Sequence, residues 1–286
     1  MSRKYFFSFS LLLFLLFSFE CRAQFGMHLK SDYTRYLRYE KITVLLTVRN
    51  YSGNTMLFSS KDAKIFFKIQ HTNTGMPAKC LDLQANPAQS LILGPGQSKE
   101  LNITLNSIYN MQKEGVYEIT AYLNHPRSSR THVSNTIDIE VRSGSPILGK
   151  TIGLPSNSNN GIIKSVNVIL MLFTDVNSKI YCLRVEDEDN IYATLRLGPY
   201  ISGTHPQLDV DGTSSIHILI QVAPRLYSYL TYSFIGRNLK LRQQRYYIPE
   251  NGSPELERKK GFLHITHAKI AELGTDYELL KEQPKQ

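Results

Sequence analysis

The chain has 286 residues, 42% of them hydrophobic and 20% charged, with 33 Lys and Arg against 24 Asp and Glu, a formal net charge of +9. So apolar a chain with so little charge per residue is not disordered, and 3 Cys are too few for a disulfide scaffold. Its 17 Gly and 12 Pro exclude collagen-like and low-complexity polymers, and its length allows about two domains, each with its own core.

Residues 1–23 read as an export signal. Arg3-Lys4 is followed by an apolar run from Tyr5 to Phe19, broken only by three serines, and then by Glu20-Cys21-Arg22-Ala23. A basic start, a short apolar stretch and a small residue before a polar one predict cleavage after Ala23. The run is too short to span a bilayer, which takes about 20 residues. A lipid anchor at Cys21 is disfavoured, because Phe19-Glu20 stands where such signals carry small residues. Removing residues 1–23 takes three basic and one acidic residue and leaves a net charge of +7, with no other long apolar run. The expected destination is the cell exterior or the periplasm, with no transmembrane segment in the mature chain. Of the cysteines left, Cys80 and Cys182 each sit in or beside an apolar run, so two unpaired thiols are expected rather than one bridge. Asn50, Asn102 and Asn251 head glycosylation-acceptor tripeptides, a pattern common by chance.

From residue 24 to 144 the dominant period is two. Lys41–Arg49, Lys64–Gln70, Glu100–Leu105, Val116–Leu123 and Val133–Val141 alternate apolar and polar residues, as half-buried strands do. Weaker candidates are Met27–Ser31, Met56–Ser59, Ala78–Leu83 and Ser90–Leu93, and Leu105–Lys113 has room for one helical turn. Turn residues at Asn50–Asn54, Asn73–Gly75 and Gly94–Gly96 punctuate them. Many short strands at this density predict an antiparallel sandwich. Within it, Leu93-Gly94-Pro95-Gly96-Gln97 precedes one strand, and Gly115, Tyr117, Ile119 and Ala121 open another. This pairing resembles the secreted bacterial immunoglobulin-like modules. The resemblance implies that the Tyr117 ring packs into the core while its hydroxyl bonds backbone. It implies no particular function.

A polar, turn-rich stretch follows, and residues 145–160 are expected as a linker. The second half, residues 161–270, repeats itself. Val168 and Ile216 lie 48 residues apart, and His217 and His264 lie 47 apart. Each copy opens on a proline and a glycine: Pro155 with Gly161, Pro206 with Gly212, Pro254 with Gly261. Ile180–Leu183 answers Tyr227–Leu230, and Asn190–Arg196 answers Asn238–Arg242. The segment from Pro206 to Tyr247 resembles a blade of the bacterial β-propellers. A closed propeller needs about four blades at least, whereas about two and a half repeats are present. An open or sandwich-like β domain is therefore expected, with a ring completed by a homodimer as the rival. Residues 271–286 are expected as a tail, and His267–Leu280 fits a short helix or a hairpin at Gly274-Thr275. The fold class is all-β: an immunoglobulin-like sandwich followed by a second β domain built from blade-like repeats.

Asp209-Val210-Asp211-Gly212 suggests calcium, but the carboxylates that a calcium loop needs further on are absent, which favours a hairpin turn. Glu186–Asn190 is most simply a solvated turn. His264 and His267, three apart on a strand, face opposite ways and do not converge on a metal. Motifs for nucleophilic catalysis, phosphate binding and zinc proteolysis are missing. No catalytic, cofactor-binding or metal-binding residue is assigned, and no cofactor is expected. The basic and aromatic stretch Arg237–Tyr247, with Arg258-Lys259-Lys260 nearby, fits an anionic surface or a polysaccharide. Nucleic acid is disfavoured by export. The expected function is non-enzymatic binding of a protein or carbohydrate partner through Tyr200, Tyr229, Arg242, Tyr246 and Tyr247. The alternatives are a glycan hydrolase using Asp209 and Asp211, or a proteinase inhibitor acting through the loop Asn106–Gly115.

Overall fold

A computed structural model describes residues 24–59, 62–154 and 164–278. The stretch expected as an export signal and the polar turn near 155–161 lie outside the described residues. The protein is nearly all β, made of several antiparallel sheets, and no sheet among the described residues closes into a barrel or propeller.

In the first half, β1 (Phe25–Ser31), β3 (Thr43–Asn50) and β8 (Ser98–Thr104) form one sheet in the order β1-β3-β8. The second sheet joins β2 (Arg35–Leu37), β5 (Lys64–His71), β6 (Met76–Pro77), β9 (Gly115–Asn124) and β10 (His132–Arg142) in the order β2-β10-β9-β5-β6. Two short strands, β4 (Met56–Leu57) and β7 (Ile92–Leu93), pair as a ribbon, and α1 (Leu105–Ile108) is one helical turn. Alternation sets the faces, because successive side chains on a strand point to opposite sides. Val44, Leu46 and Val48 from one sheet meet Ile65, Phe67, Ile69, Ile119 and Leu123 from the other in one core. Each such side chain, fully buried, contributes about 1.5–3 kcal/mol.

Tyr117 behaves as the sequence resemblance implies. Its ring is buried and its hydroxyl donates to the Lys113 carbonyl at 2.8 Å. The stretch Ala78–Leu83 differs from expectation. Its pairing stops at the bond from the Ala78 N–H to the Ile69 carbonyl and an isolated bridge between Cys80 and Tyr109, and beyond these the Asp82 carboxylate captures the Gln84 N–H and turns the chain.

In the second half, β11 (Ser145–Leu154), β12 (Lys164–Thr174), β13 (Lys179–Glu186) and β14 (Ile191–Pro199) form a meander. Ten of the sixteen residues expected as a linker are thus a strand. Its polar residues and glycines hide a ladder with β12 that runs from Ser145 to Leu154. A second meander follows, from β15 (Gln207–Val210) through β16 (Ser215–Ala223) and β17 (Leu226–Ile235) to β18 (Asn238–Pro249). The hairpin of β19 (Glu255–Lys259) and β20 (Phe262–Thr266) comes next, and β21 (Ala268–Ile270) returns to pair with β18. Beyond it the chain turns at Gly274-Thr275, closed by a bridge between Leu273 and Tyr277, where a helix was one expectation.

The two meanders face each other across a second core. Val166, Val168, Leu170, Tyr181, Leu183 and Val185 meet Ile216, Ile218, Ile220, Leu230, Tyr232 and Phe234. The strands stack in matching order, β11 beside β15 and β14 beside β18.

A third, smaller cluster joins the halves, where Leu37 of β2 packs with Met171, Phe173 and Cys182. Polar groups seal this joint. Arg35 Nη1 donates to the Asp175 carbonyl at 3.0 Å, and Arg184 Nη2 donates to the Arg38 carbonyl at 2.7 Å.

Candidate functional surface on strand β18

β18 is a poor strand by propensity, with three Arg and Lys and two Gln, and it is held in place by its ladder to β17. That ladder is broken by a bulge between Thr231 and Tyr232. Lys240, Arg242 and Arg245 are all exposed. Arg242 Nε donates to Ser233 Oγ at 2.6 Å, which aims its guanidinium across the sheet. The outer edge of β18 is paired only at its far end, where Tyr247–Pro249 meet β21 and Tyr246 accepts the Ala271 N–H. Among the described residues, nothing pairs with Asn238–Arg245 on that side.

Of the expected contact residues, Tyr247 continues the face of Lys240 and Arg245, while Tyr246 turns to the other face of the strand. Tyr246 is half-buried, its ring 4.8 Å from that of Tyr277 and its hydroxyl accepting from Gln244 Nε2 at 3.0 Å. Burial pushes its phenol up. Tyr247, also half-buried, stands edge-on to Tyr229 at 6.1 Å. Tyr229 is buried beneath it and bonds His217 Nδ1 at 2.6 Å, while His217 Nε2 meets Asp211 at 3.1 Å. Tyr229 therefore anchors this patch from below. Tyr200 lies elsewhere, just after β14, with its ring 5.6 Å from Tyr181 and packed on the second core. The structure gathers Tyr229 and Tyr247 with Arg245, which stands opposite Tyr229, and leaves Tyr246 on the other face of β18, opposite Ser228, and Tyr200 apart.

The acidic residues singled out by sequence are engaged internally. Asp209 accepts from Arg258 at 2.9 Å and lies 3.3 Å from Lys150, so it ties β15 to β19 and β11. Burial would raise its pKa, but the Val210 N–H, Arg258 and Lys150 outweigh that and hold it below the usual value. Asp211 is the cap of the β15–β16 turn. Burial again opposes its charge, yet Thr213, Ser215 and His217 hold it low. In the Glu186–Asn190 turn, Asp187 accepts from Tyr192 and from the Asp189 and Asn190 N–H groups, and its pKa falls to about 2. Among the described residues, no cluster of three or more His, Cys, Asp or Glu is placed to hold a metal. His264 is exposed on β20, opposite Glu257.

The cysteines are both free. Cys182 is buried and its thiol is pushed up to about 12, chiefly by burial. The Asn50 side chain is fully buried and donates to the carbonyls of Asn54, Leu93 and Gly94, so this asparagine is inaccessible as a glycosylation acceptor. The loop Asn106–Gly115 is pinned down: Asn106 bonds the Ile42 N–H and the Glu40 carbonyl, and Tyr109 and Met111 are buried.

One arrangement escaped the sequence reading. A shallow hollow of about 270 Å³ at the β9–β10 turn is lined by Asp62, Asn124, His125, Ser128 and Arg130. At its edge Ser128 Oγ lies 2.8 Å from His132 Nε2 and 3.0 Å from the Arg130 carbonyl. Burial, helped by Arg130, lowers the His132 pKa. The residues involved are four apart across a turn, a spacing that gives no motif. The hollow is smaller than typical ligand pockets, which run from about 300 Å³, and the serine hydroxyl is shared with a turn carbonyl.

No model of a known protein family matches the chain, and no curated protein matches it as a relative.

Proposed function

We propose that this is a secreted or periplasmic, non-enzymatic binding protein that presents β18 to an anionic protein or carbohydrate partner. In this reading residues 24–144 are an immunoglobulin-like module. The second half is a run of blade-like repeats, with β11–β14 and β15–β18 as two units and β19–β20 as the start of a third. The matching stack of β11, β15 and β19, crossed by the Lys150–Asp209–Arg258 ion pairs, supports that repeat.

The observation that carries the function is the composition of β18 in its setting. Three exposed cations and no carboxylate occupy a strand whose edge is open over eight residues and which ends in two half-buried tyrosines. Edge strands commonly carry such charges to prevent sheet-to-sheet association. Here Tyr247, on the same face as Arg245, adds what a solubilising charge does not need, an amphipathic contact area of the kind enriched at interfaces. The joint between the halves supports the reading too, since it offers the surface from a fixed frame. The glycosidase alternative requires one carboxyl kept protonated near neutral pH, whereas Asp209 and Asp211 are both shifted the other way.

The test is binding of the purified protein to immobilised heparin and to polyglutamate over a salt series. Retention that weakens as salt rises is expected, because surface charge pairs are screened within about 10 Å at 0.1 M salt. Absence of retention on both matrices at low salt would overturn the proposal.

A further inference from the structure

We propose that the free edge of β20 accepts one extended, acidic peptide segment of a partner protein, which adds as a strand and lies over Lys240, Arg242 and Arg245. This rests on the anionic-partner reading above and narrows it to a polypeptide and a binding mode.

Three observations carry it. First, β19 and β20 correspond to β15 and β16, since Asp209 faces His217 across one hairpin and Glu257 faces His264 across the other. In the second meander β16 is followed by β17, so both its edges are paired. After β20 the chain instead turns at His267, at φ 57°, and crosses to β18. Among the described residues, β20 is therefore left with one backbone edge unpaired.

Second, the register tells which groups that edge offers. Lys259 pairs with Phe262 across a two-residue turn, Lys260-Gly261, with φ positive at both positions. Such tight hairpins close on a hydrogen-bonded pair, and bonded and non-bonded pairs then alternate. Phe262, His264 and Thr266 spend their N–H and C=O groups on β19. Leu263 and Ile265 direct theirs outward, to the open edge. An extended peptide recognises such a row by main-chain bonds and gains specificity from the side chains it lays on the neighbouring surface.

Third, that neighbouring surface is basic. Leu230, Tyr232 and Phe234 of β17 turn into the second core, so Tyr229 and Ser233 face the other way. Arg245 stands opposite Tyr229 and Lys240 opposite Ser233, to which Arg242 also bonds, and the three cations therefore share that far face. The hairpin lies against the same face. Gln207 and Asp209 of β15 turn that way, and they hold Pro254, Leu256 and Arg258 by side-chain bonds. Lys259 and Lys260 at the hairpin tip add charge, and Phe262 beside them is exposed. A third strand added to β20 would thus run above a cationic floor. Carboxylates on its floor-facing side meet that charge, while apolar residues on its other side do not.

The test is hydrogen exchange of the full protein with and without a library of soluble peptides in which Glu alternates with Val or Thr. Slowed exchange at the Leu263 and Ile265 amides is expected, together with at least a tenfold loss of peptide affinity in Ile265→Pro, which deletes one outward N–H. Ile265→Val should bind as the parent does. Peptide binding that is abolished by Arg242→Glu but leaves these amides unprotected would overturn strand addition while sparing the anionic-partner reading. Binding to heparin with none to any peptide would replace the polypeptide with a glycan. Concentration-dependent dimerisation that protects the same amides would replace it with a second copy of the chain.

Discussion

Arg196 Nε donates to Glu40 Oε1 at 2.6 Å, an ion pair that reaches from β14 in the second half of the chain to the turn after β2 in the first. The same guanidinium bonds Asp175 at 2.7 Å and the Arg35 carbonyl at 2.7 Å, and it lies 3.8 Å from the centre of the Tyr33 ring. All three nitrogens of the fork donate, and the partners hold the group protonated despite burial. Arg196 and Glu40 are only 15% and 9% exposed, so the pair is largely shielded from solvent. This pair turns two β units into one frame.

Replacing Arg196 with Ala strands Glu40 and Asp175 without their cation. Loss of one member of a buried pair costs about 3–5 kcal/mol. Urea unfolding should fall by that amount and separate into two transitions as the halves uncouple. Arg196→Lys should recover little, because a point charge cannot serve three acceptors and a ring at once.

The β9 entrance should be equally intolerant. Gly115 has φ 135°, and a Cβ there would collide with the His71 ring. Gly115→Ala should cost about 1–3 kcal/mol from backbone strain, and the collision adds to that. Tyr117→Phe removes only the bond to Lys113 and should cost about 1 kcal/mol. Chemical denaturation of the two variants checks the ranking.

Acid should loosen the second half. Asp209 and Asp211 have folded pKa values below the ordinary 3.8, so folding favours their charged forms. Their stabilisation is complete above that value and is lost as pH falls from it through the lower folded values. A stability–pH profile should drop below about pH 4, and Asp211→Asn should be less stable at neutral pH with a shallower acid limb.

The thiols should differ in reactivity. Cys182 is buried with its pKa near 12, while Cys80 is partly exposed. A thiol-specific reagent followed by peptide mass mapping should modify Cys80 in the native protein, and Cys182 only after unfolding.

The strands were legible where alternation was clean, as in Ile137–Val141, because a one-sided core imposes a period of two. β11 was illegible for the opposite reason. Its Gly149, Lys150 and Thr151 read as a linker, and only pairing with β12 makes it a strand. Val168 and Ile216, 48 residues apart, enter one core, as the proposed repeat requires. The same spacing gave no sign that β19 and β20 stand as a two-stranded hairpin. The basic stretch of β18 was visible as composition. That Tyr229 lies beneath the patch and Tyr200 away from it depends on sheet stacking, which no local pattern records. Ser128 and His132 meet only because a turn folds them together.

The central claim is that β18 makes the contact, and it is tested most directly by reversing its charge. Arg242→Glu/Arg245→Glu lies on the exposed side of a paired strand and should melt at the parent temperature. The account predicts that this variant loses at least tenfold in affinity for polyglutamate at low salt, and that its binding no longer varies with salt. Unchanged affinity in a fully folded variant would contradict it.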